Sequence, residues 1–61
     1  MTKEYARAKE AAKELVLKYG VNGILNMHFT EAQKKAGVSS TDLSNALDYF
    51  RYSPKAAKYR V

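Results

Sequence analysis

The sequence predicts a mostly α domain: three helices over about residues 2–19, 30–36 and 40–52, with a small two-stranded sheet made by residues 24–29 and 56–61. Three observations carry this expectation. Apolar residues recur at spacings of three and four through residues 5–19 and 43–50, the period of a helix with one buried face. Gly20, Gly37 and Pro54 stand where those helical patterns stop. Two short segments instead alternate apolar and polar residues, which is the period of a strand. Sixty-one residues make a single small domain, 1–61, with no internal repeat and no low-complexity segment.

The first helix takes Thr2 as its cap and Glu4 in its first turn, where an acid favours the helix dipole. Tyr5, Ala8, Ala12, Leu15 and Tyr19, with Val16 beside them, form one apolar stripe. The stripe packs on the other helices; a seam between two copies of the helix is the alternative. Glu10 with Lys13 and Glu14 with Lys18 are expected surface pairs, each worth roughly 0.2–0.5 kcal/mol. Leu17 projects away from the stripe beside Ala6 and Lys13, to meet a second subunit or to lie under the C-terminal tail.

Val21-Asn22-Gly23 is a turn. Leu25, Met27 and Phe29 then alternate with Ile24, Asn26 and His28, which predicts a short strand; a helical turn over 24–27 is the alternative. His28 is expected on the solvent side, because no Ser, Cys or Asp constellation accompanies it. Thr30 is expected to cap the second helix, whose Ala32 and Ala36 give a face of small side chains while Lys34 and Lys35 stay outside. Gly37 ends that helix, and Val38 is expected to plug the core. Ser39 caps the third helix, with Asp42 three residues on as a short capping box. Leu43, Ala46, Leu47 and Phe50 form its buried stripe, and Thr41, Ser44, Asn45, Asp48 and Tyr52 its outer face. Pro54 closes it. Ala57, Tyr59 and Val61 alternate with Lys58 and Arg60, predicting a strand that pairs with 24–29.

Composition narrows the function. Without cysteine there is no disulfide and no thiolate metal site, and one histidine cannot build a zinc site unaided. Neither a nucleophile with its base nor a carboxylate pair is evident, so no enzyme, cofactor or small-molecule substrate is expected. The apolar runs are too short to span a bilayer, and nothing near Met1 resembles a signal peptide; a cytoplasmic, nucleoid-associated protein is expected. Eleven Lys and Arg against six Asp and Glu give a net charge of +5, which suits a polyanionic partner. Arg51, Lys55, Lys58 and Arg60 crowd the last eleven residues, which hold no acid.

Two helices joined by a three- or four-residue turn containing glycine form a helix-turn-helix, whose second helix enters the major groove. That groove is about 12 Å wide and admits a helix carrying short polar side chains near its N-terminus. Ser40, Thr41, Ser44 and Asn45 supply those side chains, and a helix N-terminus also favours phosphate. Residues 36–45, AGVSSTDLSN, resemble the A-G-V-S-x-x-T-V-S-R segment of lac-repressor-type helix-turn-helix regulators. The Phe29-Thr30 lead-in and the basic segment after the third helix are similar to winged-helix proteins, here with the wing shortened to one strand. Gln33 stands where those families usually carry a small alanine.

The resemblance implies base contacts from Ser40, Thr41 and Asn45, with Ser44 near the backbone. Ser39, Lys34, Lys35, Arg51, Lys55, Lys58 and Arg60 complete the expected DNA-binding set, with the Lys55–Arg60 tail as a phosphate clamp. The expected function is sequence-specific binding of double-stranded DNA by a small homodimeric transcriptional regulator. An RNA or ribonucleoprotein component using the basic tail is one alternative. A protein-interaction adaptor docking through the first helix is the other.

Overall fold

Alanine at helical spacing builds the first element, α1 (Lys3–Tyr19), and keeps one of its sides thin. The computed structural model describes residues 3–60, so the expected Thr2 cap lies outside the described residues. Ala8, Ala11, Ala12, Leu15 and Val16 are buried along α1, and Tyr5 and Tyr19 pack at the ends of that stripe. The helix stops at Gly20, whose N–H donates to the Val16 carbonyl at 2.8 Å. The turn that follows lies close against α1. A Cβ at Gly23 would collide with the Tyr19 carbonyl oxygen, so only glycine fits there.

The described residues contain α2 (Asn26–Ala36), α3 (Ser40–Tyr52) and a C-terminal 3-10 helix (Pro54–Tyr59), and no strand. The predicted sheet is therefore absent, and with it the abbreviated wing. Residues 24–29 lead into α2 and make its first turn. The deciding pattern is Phe29, Ala32, Gln33 and Ala36, all half-buried at helical spacing and beginning inside the supposed strand. Leu25 and Met27, which gave the strand its apolar side, are 57% and 66% exposed.

The cap of α2 also differs from expectation. Thr30 is exposed within the helix, and Leu25 holds the N-cap position with an extended backbone. Leucine has no acceptor to offer the first-turn N–H groups, and the bond made here runs the other way, from the N-cap N–H to His28, the third residue of the helix. Its Nδ1 accepts the Leu25 N–H at 3.1 Å, which requires the neutral ring with its proton on Nε2. The ring is half-buried and stacks on Tyr19, with centroids 3.8 Å apart and planes within 7°. The expected solvent-facing histidine is thus a joint between α1 and α2.

The second expected strand fails for a related reason. Pro54 opens a 3-10 helix, in which residues three apart share a side. Read at that period, Ala56 and Tyr59 face inward while Lys55 and Lys58 face out, and Ala56 is completely buried. The Ser53 hydroxyl accepts the Lys55 N–H at 3.3 Å to start the turn. Val61 lies outside the described residues.

Between α2 and α3 the chain turns at Gly37, which has φ 68° and ψ 35°, a conformation a side chain would strain. Val38 is buried, and the Ser39 hydroxyl accepts the Asp42 N–H at 3.1 Å to cap α3. Leu43, Ala46, Leu47 and Phe50 are buried, Leu43 completely. α3 packs chiefly on α1. α2 lies mainly against α1 and meets α3 only slightly, and it contributes no fully buried residue.

His28→Ala removes one charge-neutral cap bond and one ring stack, and should lower stability by about 1–2 kcal/mol. Native-state hydrogen exchange checks whether the effect is local. The Leu25 and Phe29 amides should speed up more than that of Leu47, whereas a uniform change would show that the joint does not belong to α2 alone.

Candidate nucleic-acid interface

Because α3 buries Leu43, Ala46, Leu47 and Phe50 on one side, the helical period turns Thr41, Asn45, Asp48 and Tyr52 outward. Ser39, Ser40, Thr41, Ser44 and Asn45 are all exposed around the first half of this helix. The Ser39 cap satisfies the Asp42 N–H, and the exposed start of α3 presents its positive dipole end to solvent. Short hydroxyl and amide side chains therefore surround a helix terminus suited to anions and to base edges. α3 carries two acids, Asp42 half-buried in its first turn and Asp48 exposed midway, and one base, Arg51, in its last turn.

The structure splits the remaining residues of the expected set. Lys34 and Lys35 are exposed on α2, about 100° apart around its axis. Lys35 lines an open groove of about 430 Å³ between α1 and α2, where Glu10, Glu14 and Glu31 offset Arg7 and Lys18. Arg51, Lys55 and Lys58 are exposed at the far end of α3, which lies about 18 Å along the helix from Ser40. Arg51 and Tyr52 border a shallow cleft there with Asn22 and Arg60.

Arg60 is placed differently from its basic neighbours. It is half-buried, and its Nη1 donates to the carbonyls of Phe50 at 3.0 Å and Ser53 at 2.7 Å. These are carbonyls at the C-terminus of α3, the negative end of the helix dipole. A guanidinium there satisfies two acceptors at once and ties the chain end to the helix it follows. The side chain expected to clamp phosphate is engaged with the protein's own backbone through this nitrogen.

A basic and aromatic cluster forms on the other flank of α3. The Lys9 ammonium lies 4.2 Å from the centre of the Tyr49 ring. Lys13 and Lys58 approach the Tyr59 ring at 5.9 and 5.3 Å. Both rings are set edge-on to Phe50, each with centroids 5.3 Å apart. Sequence reasoning missed Lys9 and Lys13. Their spacing of four marks one side of α1, but the tyrosines they meet arrive from α3 and the 3-10 helix. Lys13 and Lys18 were expected to take glutamate partners, and the structure gives each of them a tyrosine ring.

Arg60→Ala should destabilise the fold by about 1.5–3 kcal/mol, the range for hydrogen bonds made by a charged donor. Urea denaturation measures it. Arg60→Lys should recover only part of the loss, since an ammonium lacks the planar fork of the guanidinium. Full recovery would reduce Arg60 to a simple charge at a helix end.

Among the described residues no group of three or more His, Cys, Asp and Glu converges as a metal site. No helix among them is long and apolar enough to cross a membrane. The chain matches no protein-family model, no curated protein and no solved structure. Its function must therefore be argued from its own residues.

Proposed function

We propose that the chain binds double-stranded DNA sequence-specifically, with the first half of α3 in the major groove, as a small transcriptional regulator. The observation that carries this reading is the run of exposed Ser40, Thr41, Ser44 and Asn45 on the outward side of a helix whose other side is firmly buried. A helix used in this way must be rigid, and the buried stripe from Leu43 to Phe50 makes it so. It must also stand clear of its neighbours at its N-terminus. Ser39, Ser40 and Thr41, which follow the left-handed turn at Gly37, are exposed there. The net charge of +5 favours a polyanion in general.

In this reading Asn45 carries the most base information, because an amide can bond bidentately to adenine. Ser40 and Thr41 reach base edges or the adjoining phosphate, and Ser44 lies near the backbone. Lys34, Lys35, Arg51, Lys55 and Lys58 contribute phosphate contacts. One module of this size makes few base contacts, and a homodimer reading two half-sites remedies that. Leu17 on the outer side of α1 is 65% exposed and uncovered by the described tail, and we assign it to the contact with the second copy.

Two substitutions test the reading on a target selected from a random duplex pool. Asn45→Ala should weaken binding to the selected sequence by about 1–3 kcal/mol while leaving binding to random duplex nearly unchanged. Lys58→Ala should weaken both and reduce the salt slope by about one. Equal losses on selected and random duplex for Asn45→Ala would remove the base-reading role. Tighter binding to structured RNA than to any duplex would move the function to the ribonucleoprotein class.

A further inference from the structure

Lys9, Lys13 and Lys58 come from two separate elements, yet their ammonium groups gather around the rings of Tyr49 and Tyr59. We infer that these three lysines form a phosphate-contacting rail that holds the DNA backbone beside the groove entered by α3. The inference deepens the DNA reading above and rests on it.

Geometry supports the rail in three ways. First, it is continuous with the proposed reading surface. Asn45 and Tyr49 lie four apart on α3, so they are neighbours along one strip of the helix, and Lys9 sits over the second of them. Second, the rail is built on fixed supports. Tyr49 and Tyr59 are both held edge-on against Phe50, which is buried. Each lysine therefore meets a ring that is itself packed against the core. Lys9 and Lys13 keep half-buried stems, about 6 Å apart along the α1 axis.

Third, the charged groups that meet these two rings are all lysine ammoniums. Glu10 and Glu14 belong to the opposite flank of α1, where they line the groove facing α2. Tyr49 and Tyr59 are half-buried, so a lysine over either ring gains between about 0.5 and 2 kcal/mol, which contact with a phosphate oxygen can replace. Each such contact releases counterions from the duplex, and three converging positive charges make that release favourable.

The test compares two double variants of the full chain, binding a random-sequence duplex by fluorescence anisotropy from 50 to 200 mM salt. Lys9→Ala with Lys13→Ala removes two charges from the rail. Arg7→Ala with Lys18→Ala removes two from the other flank, and thermal melts confirm that both variants fold. The rail variant should lower the salt slope by about 1.8 and weaken binding on the order of tenfold or more, while the control changes little. Equal changes in the two variants would overturn the rail in favour of net charge. An unchanged slope in the rail variant, with wild-type binding still salt-dependent, would overturn the rail and leave the DNA reading standing. No salt-dependent binding by the wild type would overturn both. An NMR titration gives an answer without substitution: the Tyr49 and Tyr59 ring signals should shift with the Ser40 and Asn45 amides. Rings unmoved while those amides shift would also overturn the rail.

Discussion

The fold depends on one contact, the apolar stripe of α3 lying on the alanine side of α1. Ala8, Ala11 and Ala12 bring almost no side-chain bulk to it, while Leu43, Leu47 and Phe50 bring most of it. Small against large lets the helices approach closely without a void, which a domain of this size needs because its core is so limited. Once α3 is seated by that contact, its outer face is determined. Residues on the far side have no neighbour to bury them. The turn between α2 and α3 and the 3-10 helix add the remaining buried side chains, Val38 and Ala56 respectively.

The same contact sorts polar residues by position rather than by type. Ser39 and Ser53 both cap helices through their hydroxyls, whereas Ser40 and Ser44 extend into solvent. Arg60 and Lys58 are two residues apart, yet one is turned onto the carbonyls of α3 and the other lies outside against a tyrosine ring. A basic tail counted as one patch is therefore two things physically: a tie that holds the helix end and a set of exposed cations. The aromatic residues show the same division. Tyr49 and Tyr59 frame Phe50, while Tyr52 is 75% exposed.

How much of this was legible depended on whether the signal was local. The stripes of α1 and α3, the Gly37 turn and the Ser39 cap follow from spacing within a few residues, and each stands in the described structure. The sheet was misread because residues 24–29 and 56–61 each satisfy two periods. Alternation by two fits both segments, but a helical stripe from Phe29 onward and a three-residue repeat from Pro54 fit them better. The cap of α2 was hidden for a different reason. A leucine at the N-cap carries no signal, and the histidine that accepts its N–H is stacked on Tyr19, a residue of another helix. The expected reading residues of α3 are visible in sequence, since they are simply what the buried stripe leaves over. The lysines over Tyr49 and Tyr59 were invisible because their partners come from other elements.

The shallow seating of α2 has an evolutionary consequence. A helix with no fully buried side chain, held by half-buried contacts and one histidine joint, can accept many substitutions without unfolding the α1–α3 pair. Its sequence is thus less constrained by packing than those of α1 and α3. Yet α2 leads directly into the Gly37 turn, so drift there alters how the chain arrives at Ser39 while the buried stripe of α3 stays seated. Substitutions in α2 would therefore re-aim the start of α3 without changing any residue on it.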